Sequence, residues 1–201
     1  MTDKIISRVT KVNQDSQSCL QKKSYQCCQK NISVTSVAKQ LQKKIIIGID
    51  PGTAITGYGI LKVDKKRAVP IKYGVIRTKS SLPLEKRIAQ IYKELGELLD
   101  EFQPDEASIE EIFYGRNVKT AFSLGQARGV QILALTTRDI PIFEYSPRKV
   151  KQAVVGNGNA SKQQVQYMVT RLLKLKDIPK PSDSADALAI ALAHFHSQKW
   201  E

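Results

Sequence analysis

Lys44-Ile45-Ile46-Ile47-Gly48-Ile49-Asp50-Pro51-Gly52-Thr53 is the stretch whose reading decides the fold. Its apolar run has strand length and ends at Pro51-Gly52, a pair that breaks regular structure. A run apolar at both parities marks a strand buried on both faces, as in a sheet with helices on either side. Asp50 closes that strand. In open α/β sheets ligands bind beyond the carboxyl ends of strands, so this carboxylate is expected at the rim. Gly52, Gly57 and Gly59 follow closely and would let backbone or a phosphate approach. An Asp-Pro-Gly turn also forms for purely local reasons, so Asp50 needs company before it means chemistry.

Downstream, residues 56–63 and 71–77 read as two more strands, parted by the charged turn 64–67. Leu84, Ile88, Ile91, Leu95 and Leu98 recur at helical spacing and predict a helix over 83–101, ended by Gln103-Pro104-Asp105. Residues 107–113 return to strand, 120–137 read as helix and 142–145 as a fifth strand. Ser146 caps the next helix, with Pro147 at its first position. Residues 157–160 form a loop. Ser161 and Gln164 make a capping box that opens a helix through Lys174. A last helix runs from Asp183 to about Ser197. Three strands followed by alternating helices and strands predict an α/β fold with a mixed five-stranded sheet flanked by helices.

Upstream of Lys44 the texture is different. Residues 1–44 carry nine Lys/Arg against Asp3 and Asp15, a net +7, and contain no Gly, Pro or Trp. Rich in Gln, Ser and Lys and without a sustained period, they cannot bury enough apolar area to offset the entropy of ordering. They are expected to be a disordered basic tail, with the folded domain over 45–201. Cys19, Cys27 and Cys28 all fall in that tail, an odd count with two adjacent and no zinc spacing, which makes a poor disulfide framework. The remaining residues hold 23 Lys/Arg against 17 acids, a net +6 that suits a polyanionic partner. No apolar run nears the roughly 20 residues of a bilayer span, and the polar start is unlike a secretory signal, so the cytoplasm is expected.

Three further carboxylates keep Asp50 company. Glu110 and Glu111 lie on the fourth predicted strand, where alternation sends them to opposite faces, so at most one shares a surface with Asp50. Spacing alone does not choose between them. Asp183 and Asp186 open the last helix at i, i+3, on one side, and the small apolar continuation 185–193 marks that helix as buried. Acids in a first helical turn are ordinary, because they meet the positive end of the helix dipole. Four carboxylates converging near strand ends would nevertheless repel strongly unless a cation lay between them. Hard oxygen donors without Cys or His favour Mg2+ over zinc, with Mn2+ as a substitute. Two-metal phosphodiester hydrolysis needs such a cluster.

Further segments carry a resemblance. They are Gly48-Ile49-Asp50-Pro51-Gly52-Thr53, Thr56-Gly57-Tyr58-Gly59, Ile109-Glu110-Glu111-Ile112-Phe113, Leu124-Gly125-Gln126-Ala127-Arg128-Gly129-Val130, Phe143-Glu144-Tyr145, Val150 to Gly156, Lys162 to Gln166, and Asp183-Ser184-Ala185-Asp186. In this order the chain resembles the RuvC Holliday-junction resolvases, which have a ribonuclease-H-like fold, over about residues 44–198. The resemblance implies that Asp50, Glu110, Asp183 and Asp186 are the metal-binding catalytic carboxylates, with two Mg2+ per subunit. It selects Glu110 over Glu111. It implies that Lys151 and Lys162 lie near the scissile phosphate and that Phe113 stacks near the cut. It further implies a homodimer that makes paired nicks across a four-way junction in recombination and repair, beside a branch-migration motor. The long N-terminal tail departs from the family pattern.

Residue chemistry extends the DNA-binding surface to Arg116 and Lys119, which follow Phe113, and to Arg148, beside Lys149 and Lys151 on one short helix. The helix over 120–137 is apolar nearly all round, with Gly125 and Gly129 four apart, as expected of a helix covered on one side by its own sheet and on the other by a second copy. One rival is an actin-like or sugar-kinase ATPase, which shares a similar Gly-Ile-Asp-Pro-Gly-Thr opening. Only 151 residues follow Asp50, too few for the second domain such enzymes need. The other is a junction-binding protein without catalysis, against which stands the full set of four carboxylates. His194 and His196 are expected to be structural or surface groups.

Overall fold

The computed structural model describes residues 43–111 and 118–198. The tail expectation for residues 1–44, and those for Phe113 and Arg116, therefore concern residues almost wholly outside the described set. The strands are β1 (Lys44–Asp50), β2 (Ile55–Val63), β3 (Ala68–Arg77), β4 (Glu106–Glu110) and β5 (Ile142–Tyr145). The helices are α1 (Leu84–Phe102), α2 (Val118–Thr136), α3 (Pro147–Val155), α4 (Lys162–Leu172) and α5 (Ser182–Ser197). The sheet order is β3-β2-β1-β4-β5, antiparallel among the first three strands and parallel from β1 through β4 to β5. Mixed, five-stranded and helix-flanked, it has the ribonuclease-H-like architecture expected.

The two faces of β1 divide the core. Ile47 and Ile49 pack with Ile91, Leu95 and Leu99 of α1 and with Ala127, Ala134 and Leu135 of α2. Ile46 packs on the other side with Val150 and Val154 of α3, Val165 and Val169 of α4 and the alanine-rich α5. α5 is buried from Ser184 to His194 except at Asp186, which is half-buried. It lies so close because β1 offers it Gly48: a Cβ there would fall 2.2 Å from the carbonyl oxygen of Ala187. Its far end is pinned by polar contacts. His194, 2% exposed, meets Glu106 Oε2 through Nε2 at 2.9 Å and the Tyr145 hydroxyl through Nδ1 at 2.8 Å, and Lys44 donates to Glu106 at 2.6 Å. His194 is thus the structural group expected, and burial holds its pKa below the usual range.

Three boundaries differ from expectation. β3 begins at Ala68 and passes through Pro70, which local reading takes as a strand end. Proline survives there because β3 is an edge strand and its pairing with β2 shifts register between Ile60 and Leu61. β4 ends at Glu110, with Glu111 outside the strand, and the remaining expected strand residues 112 and 113 lie outside the described residues. α4 ends at Leu172, because Lys174 adopts a left-handed φ of 53°. Among the described residues no helix is long and apolar enough to cross a membrane.

Candidate active site

Strand parity aims the first two carboxylates. Asp50 follows Ile46 and Gly48 at even spacing and therefore stands on the α5 face of the sheet. In the parallel β1–β4 ladder Ile47 lies beside Ala107 and Ile49 beside Ile109, all on the α1/α2 side. One step further the neighbours are Asp50 and Glu110, both turned to α5. Glu111 alternates away, and its N–H extends the β4–β5 pairing by donating to the Tyr145 carbonyl at 2.9 Å. Relative register decides between the two glutamates, and single-strand spacing does not contain it.

α5 brings the other two. Gly57 of β2 pairs with Asp50, and a Cβ on it would lie 2.2 Å from the Asp183 carbonyl oxygen. The first turn of α5 is therefore pressed onto the sheet at Asp50. Asp183 and Asp186 lie one turn apart there, and both act on Asp50 as charges. Burial pushes the Asp50 carboxyl up to about 8, helped by the charges of Glu110, Asp186 and Asp183. Burial also raises Glu110 and Asp186 above the usual carboxylate range. Glu110 is hydrogen-bonded to Asp50, which pulls its own pKa back down.

Two lysines answer this negative charge. Lys162, the first residue of α4, donates from Nζ to Asp186 Oδ2 at 2.6 Å. Burial opposes its charge, yet its pKa is raised, through the Asp186 hydrogen bond and the charges of Asp186, Asp183 and Asp50. Lys151 of α3 adds a favourable charge at Glu110. Glu110, Lys151, Lys162 and Asp186 line one cleft of about 230 Å³, with Val150 and Ile190 among its apolar walls. Arg148 sits elsewhere, exposed, with its stem against Gly158. Phe113 and Arg116 lie outside the described residues, and Lys119 lies in α2 without a described side chain.

The donor set suits a hard cation: four carboxylates, no thiolate or imidazole, and pKa values that mutual repulsion helps to raise. The acids are, however, paired off rather than caged. Among the described residues no three His, Cys, Asp or Glu side chains are placed to hold one ion as they stand. Glu110 turns to Asp50, and Asp186 turns to Lys162.

Residue-level reading overlooked the loop that carries Asp50. Thr56 Oγ1 donates to the Gly52 carbonyl at 2.7 Å, Thr78 Oγ1 to the Thr53 carbonyl at 2.5 Å, and the Thr78 N–H to the Ala54 carbonyl at 3.0 Å. Hydroxyls from β2 and from the residue just past β3 thereby fix the turn. Nothing in a threonine's local sequence announces such a contact across 25 residues.

A mixed sheet in this strand order, with acids at the carboxyl ends of its two central strands and on the helix that crosses them, defines the class of ribonuclease-H-like nucleases. A family model described as crossover junction endodeoxyribonuclease RuvC matches residues 46–194. The crossover junction endodeoxyribonuclease RuvC of Finegoldia magna is 48% identical over 156 residues, 78% of this chain and 95% of that protein. The Desulforamulus reducens protein of the same description is 50% identical over 150 residues, 75% of this chain and 92% of its own length. A solved structure of Thermus thermophilus RuvC in complex with Holliday junction substrate is 36% identical, with a TM-score of 0.73 over 76% of this chain and 93% of that one. The chain belongs to the RuvC family of crossover junction endodeoxyribonucleases. That membership does not favour the ATPase or the non-catalytic reading.

Proposed function

We propose that this chain resolves four-way DNA junctions by paired phosphodiester hydrolysis, with Asp50, Glu110, Asp183 and Asp186 as the residues that hold divalent metal. One observation carries the site: carboxylates from β1, β4 and α5 are brought together on one face of the sheet, where burial, helped by the charges of Glu110, Asp186 and Asp183, pushes Asp50 up to about 8. Two Mg2+ per subunit suit the all-oxygen donor set, with Mn2+ as a substitute. When bound there, metal supplies an activated water and charge to steady the leaving oxygen.

The chain's own residues do the rest. Lys162 and Lys151 bring positive charge to the cleft that Glu110 and Asp186 line, where a phosphate would otherwise meet only acids. Phe113, Arg116 and Lys119 extend the DNA surface past β4, with an aromatic to stack on an unpaired base and cations for the backbone, and Arg148 adds charge beside α3. A homodimer through α2 provides two cleavage centres for the two strands that a junction presents. The same reading places the protein in the cytoplasm, beside a branch-migration motor, with residues 1–44 as a basic tail outside the nuclease domain.

The test is cleavage of a synthetic four-way junction against linear duplex, with and without Mg2+. The expected result is Mg2+-dependent, symmetric cutting of the junction. Asp50→Asn, Glu110→Gln, Asp183→Asn and Asp186→Asn should each lower cutting by about a hundredfold or more, while junction affinity, which rests on phosphate contacts, stays nearly unchanged. Parental cleavage by any one of them removes that residue from the site. An inactive Glu111→Gln enzyme reverses the choice between neighbours.

A further inference from the structure

α2 has one fully buried polar side chain among its described residues. Its face toward the sheet is made of Ala127, Ala134 and Leu135, all fully buried, and Gln131 lies among them at 0% exposure. An amide buried in such a surface costs stability unless its hydrogen-bonding groups are met. Only one end is met. Gln131 Nε2 donates to Thr56 Oγ1 at 3.1 Å, while Gln131 Oε1 is buried with no partner among the described residues. A leucine of similar size would fill that space without leaving an acceptor unpaired.

The contact becomes intelligible from what Thr56 does next. Its hydroxyl has one proton, and it is given to the Gly52 carbonyl at 2.7 Å, two residues past Asp50. With that proton spent, Thr56 Oγ1 can only accept from Gln131, so the amide orientation is fixed by the chain of bonds. The neighbour of Thr56 on β2 is Gly57, which pairs with Asp50 and bears the Asp183 backbone. Gln131 therefore orients the hydroxyl that holds the Asp50 loop, from inside the helix whose opposite face exposes Phe122 and Leu133. A parallel arrangement stands nearby: Arg87 Nε donates to Thr78 Oγ1 at 3.0 Å, and Thr78 donates to the Thr53 carbonyl.

We propose that Gln131 is a positioning residue for cleavage: through Thr56 and the Gly52 carbonyl it holds the Asp50 carboxylate in register for metal, and so makes the seating of α2 part of the active-site geometry. This rests on the reading of Asp50 as a metal ligand. The cost of burying an unpaired Oε1 is then the stability given up for that control.

The decisive variants are Gln131→Leu, Thr56→Val and the two combined, with Asp50→Asn alongside. The readouts are Mg2+ binding by calorimetry without DNA, the Mg2+ concentration for half-maximal junction cleavage, the single-turnover rate and the melting temperature. The expected result for Gln131→Leu is unchanged or higher melting temperature, unchanged junction affinity, metal binding weakened about three- to tenfold and a rate about tenfold lower. Thr56→Val should weaken metal binding and rate in the same way, with a lower melting temperature because it strands the Gln131 amide. The double variant should be no worse in metal binding or rate than the poorer single, because one chain of bonds is cut in both. Parental metal affinity and rate in Gln131→Leu overturn the proposal. So does a rate loss accompanied by a matching loss of melting temperature with metal affinity intact, which marks ordinary packing. Additive losses in the double variant also overturn it. If Asp50→Asn cuts normally, the underlying site is wrong, whatever Gln131 does.

Discussion

At the scale of single residues the site is a balance of like charges, and that balance has a pH signature. Asp50 is pushed up to about 8, and Glu110 and Asp186 are also raised, each chiefly by burial. The metal-free folded protein therefore keeps protons that the unfolded chain releases near pH 4. Groups raised on folding contribute stability that is present below the unfolded pKa and lost as pH rises through the folded one. Metal-free stability should accordingly decline between about pH 4 and 8, and Asp50→Asn should remove much of that decline. At pH 8 without metal the variant should melt roughly 4–8 °C above the parent, for about 2 kcal/mol; a parent whose melting temperature is flat over this window refutes the charge balance. Lys162 sits on the other side of the same balance, 2.6 Å from Asp186 and about half exposed. Lys162→Ala should slow cleavage at saturating Mg2+ by about tenfold or more, yet weaken junction binding less than threefold, since one phosphate contact is a small share of affinity. Equal losses in both would make Lys162 a general DNA contact instead.

At the scale of elements, α5 on β1 is the joint that builds the site. Gly48 and the alanines of α5 let the helix lie directly on the central strand, and the first turn of that helix then reaches Asp50. A Cβ at residue 48 would meet backbone, the Ala187 carbonyl at 2.2 Å and the Ala191 N–H nitrogen at 2.7 Å, which no rotamer change can relieve. Gly48→Ala should therefore cost about 3 kcal/mol or more, lower the melting temperature by roughly 6–12 °C and abolish cleavage by lifting Asp183 and Asp186 off the sheet. A stable, active Gly48→Ala protein would show that α5 has more latitude than this packing gives it. Much of this joint was legible in the residues: the strand ending at Asp50, the i, i+3 acids and the small apolar run that buries their helix all follow from pattern. What was not legible was relational. Glu110 faces Asp50 because β4 pairs in parallel with β1 in one register, and a single strand carries no record of its neighbour's phase. Pro70 sits inside β3 because the strand is at an edge with a register shift, again a fact about its partner. The Thr78 hydroxyl reaches the Asp50 loop from 25 residues downstream of the Thr53 carbonyl it binds, so local propensity is silent about it.

At the scale of the whole molecule the question is what covers the outer face of α2. The helix packs one face on the sheet and α1, as its apolar pattern requires, yet Phe122 is 69% and Leu133 53% exposed in the single chain. Both turn away from the buried face, and a Cβ at Gly125 or Gly129 would meet nothing within 4 Å. A helix apolar on two sides needs a second cover, and a twofold copy of the same helix is self-complementary by construction. Burying the exposed parts of Phe122 and Leu133 in two copies yields on the order of 4–8 kcal/mol, comparable to the roughly 4–15 kcal/mol that association costs in lost freedom. These two side chains are thus expected to decide whether the dimer forms. Phe122→Glu combined with Leu133→Glu should give a monomer by light scattering, with little loss of melting temperature because neither side chain is in the core. Junction cleavage should then lose its pairing: a plasmid-borne cruciform should yield nicked circles where the parent yields linear product. A parent that is already monomeric shows that no copy covers this face, and a double variant that remains dimeric and linearises the plasmid places the contact between copies on some other surface.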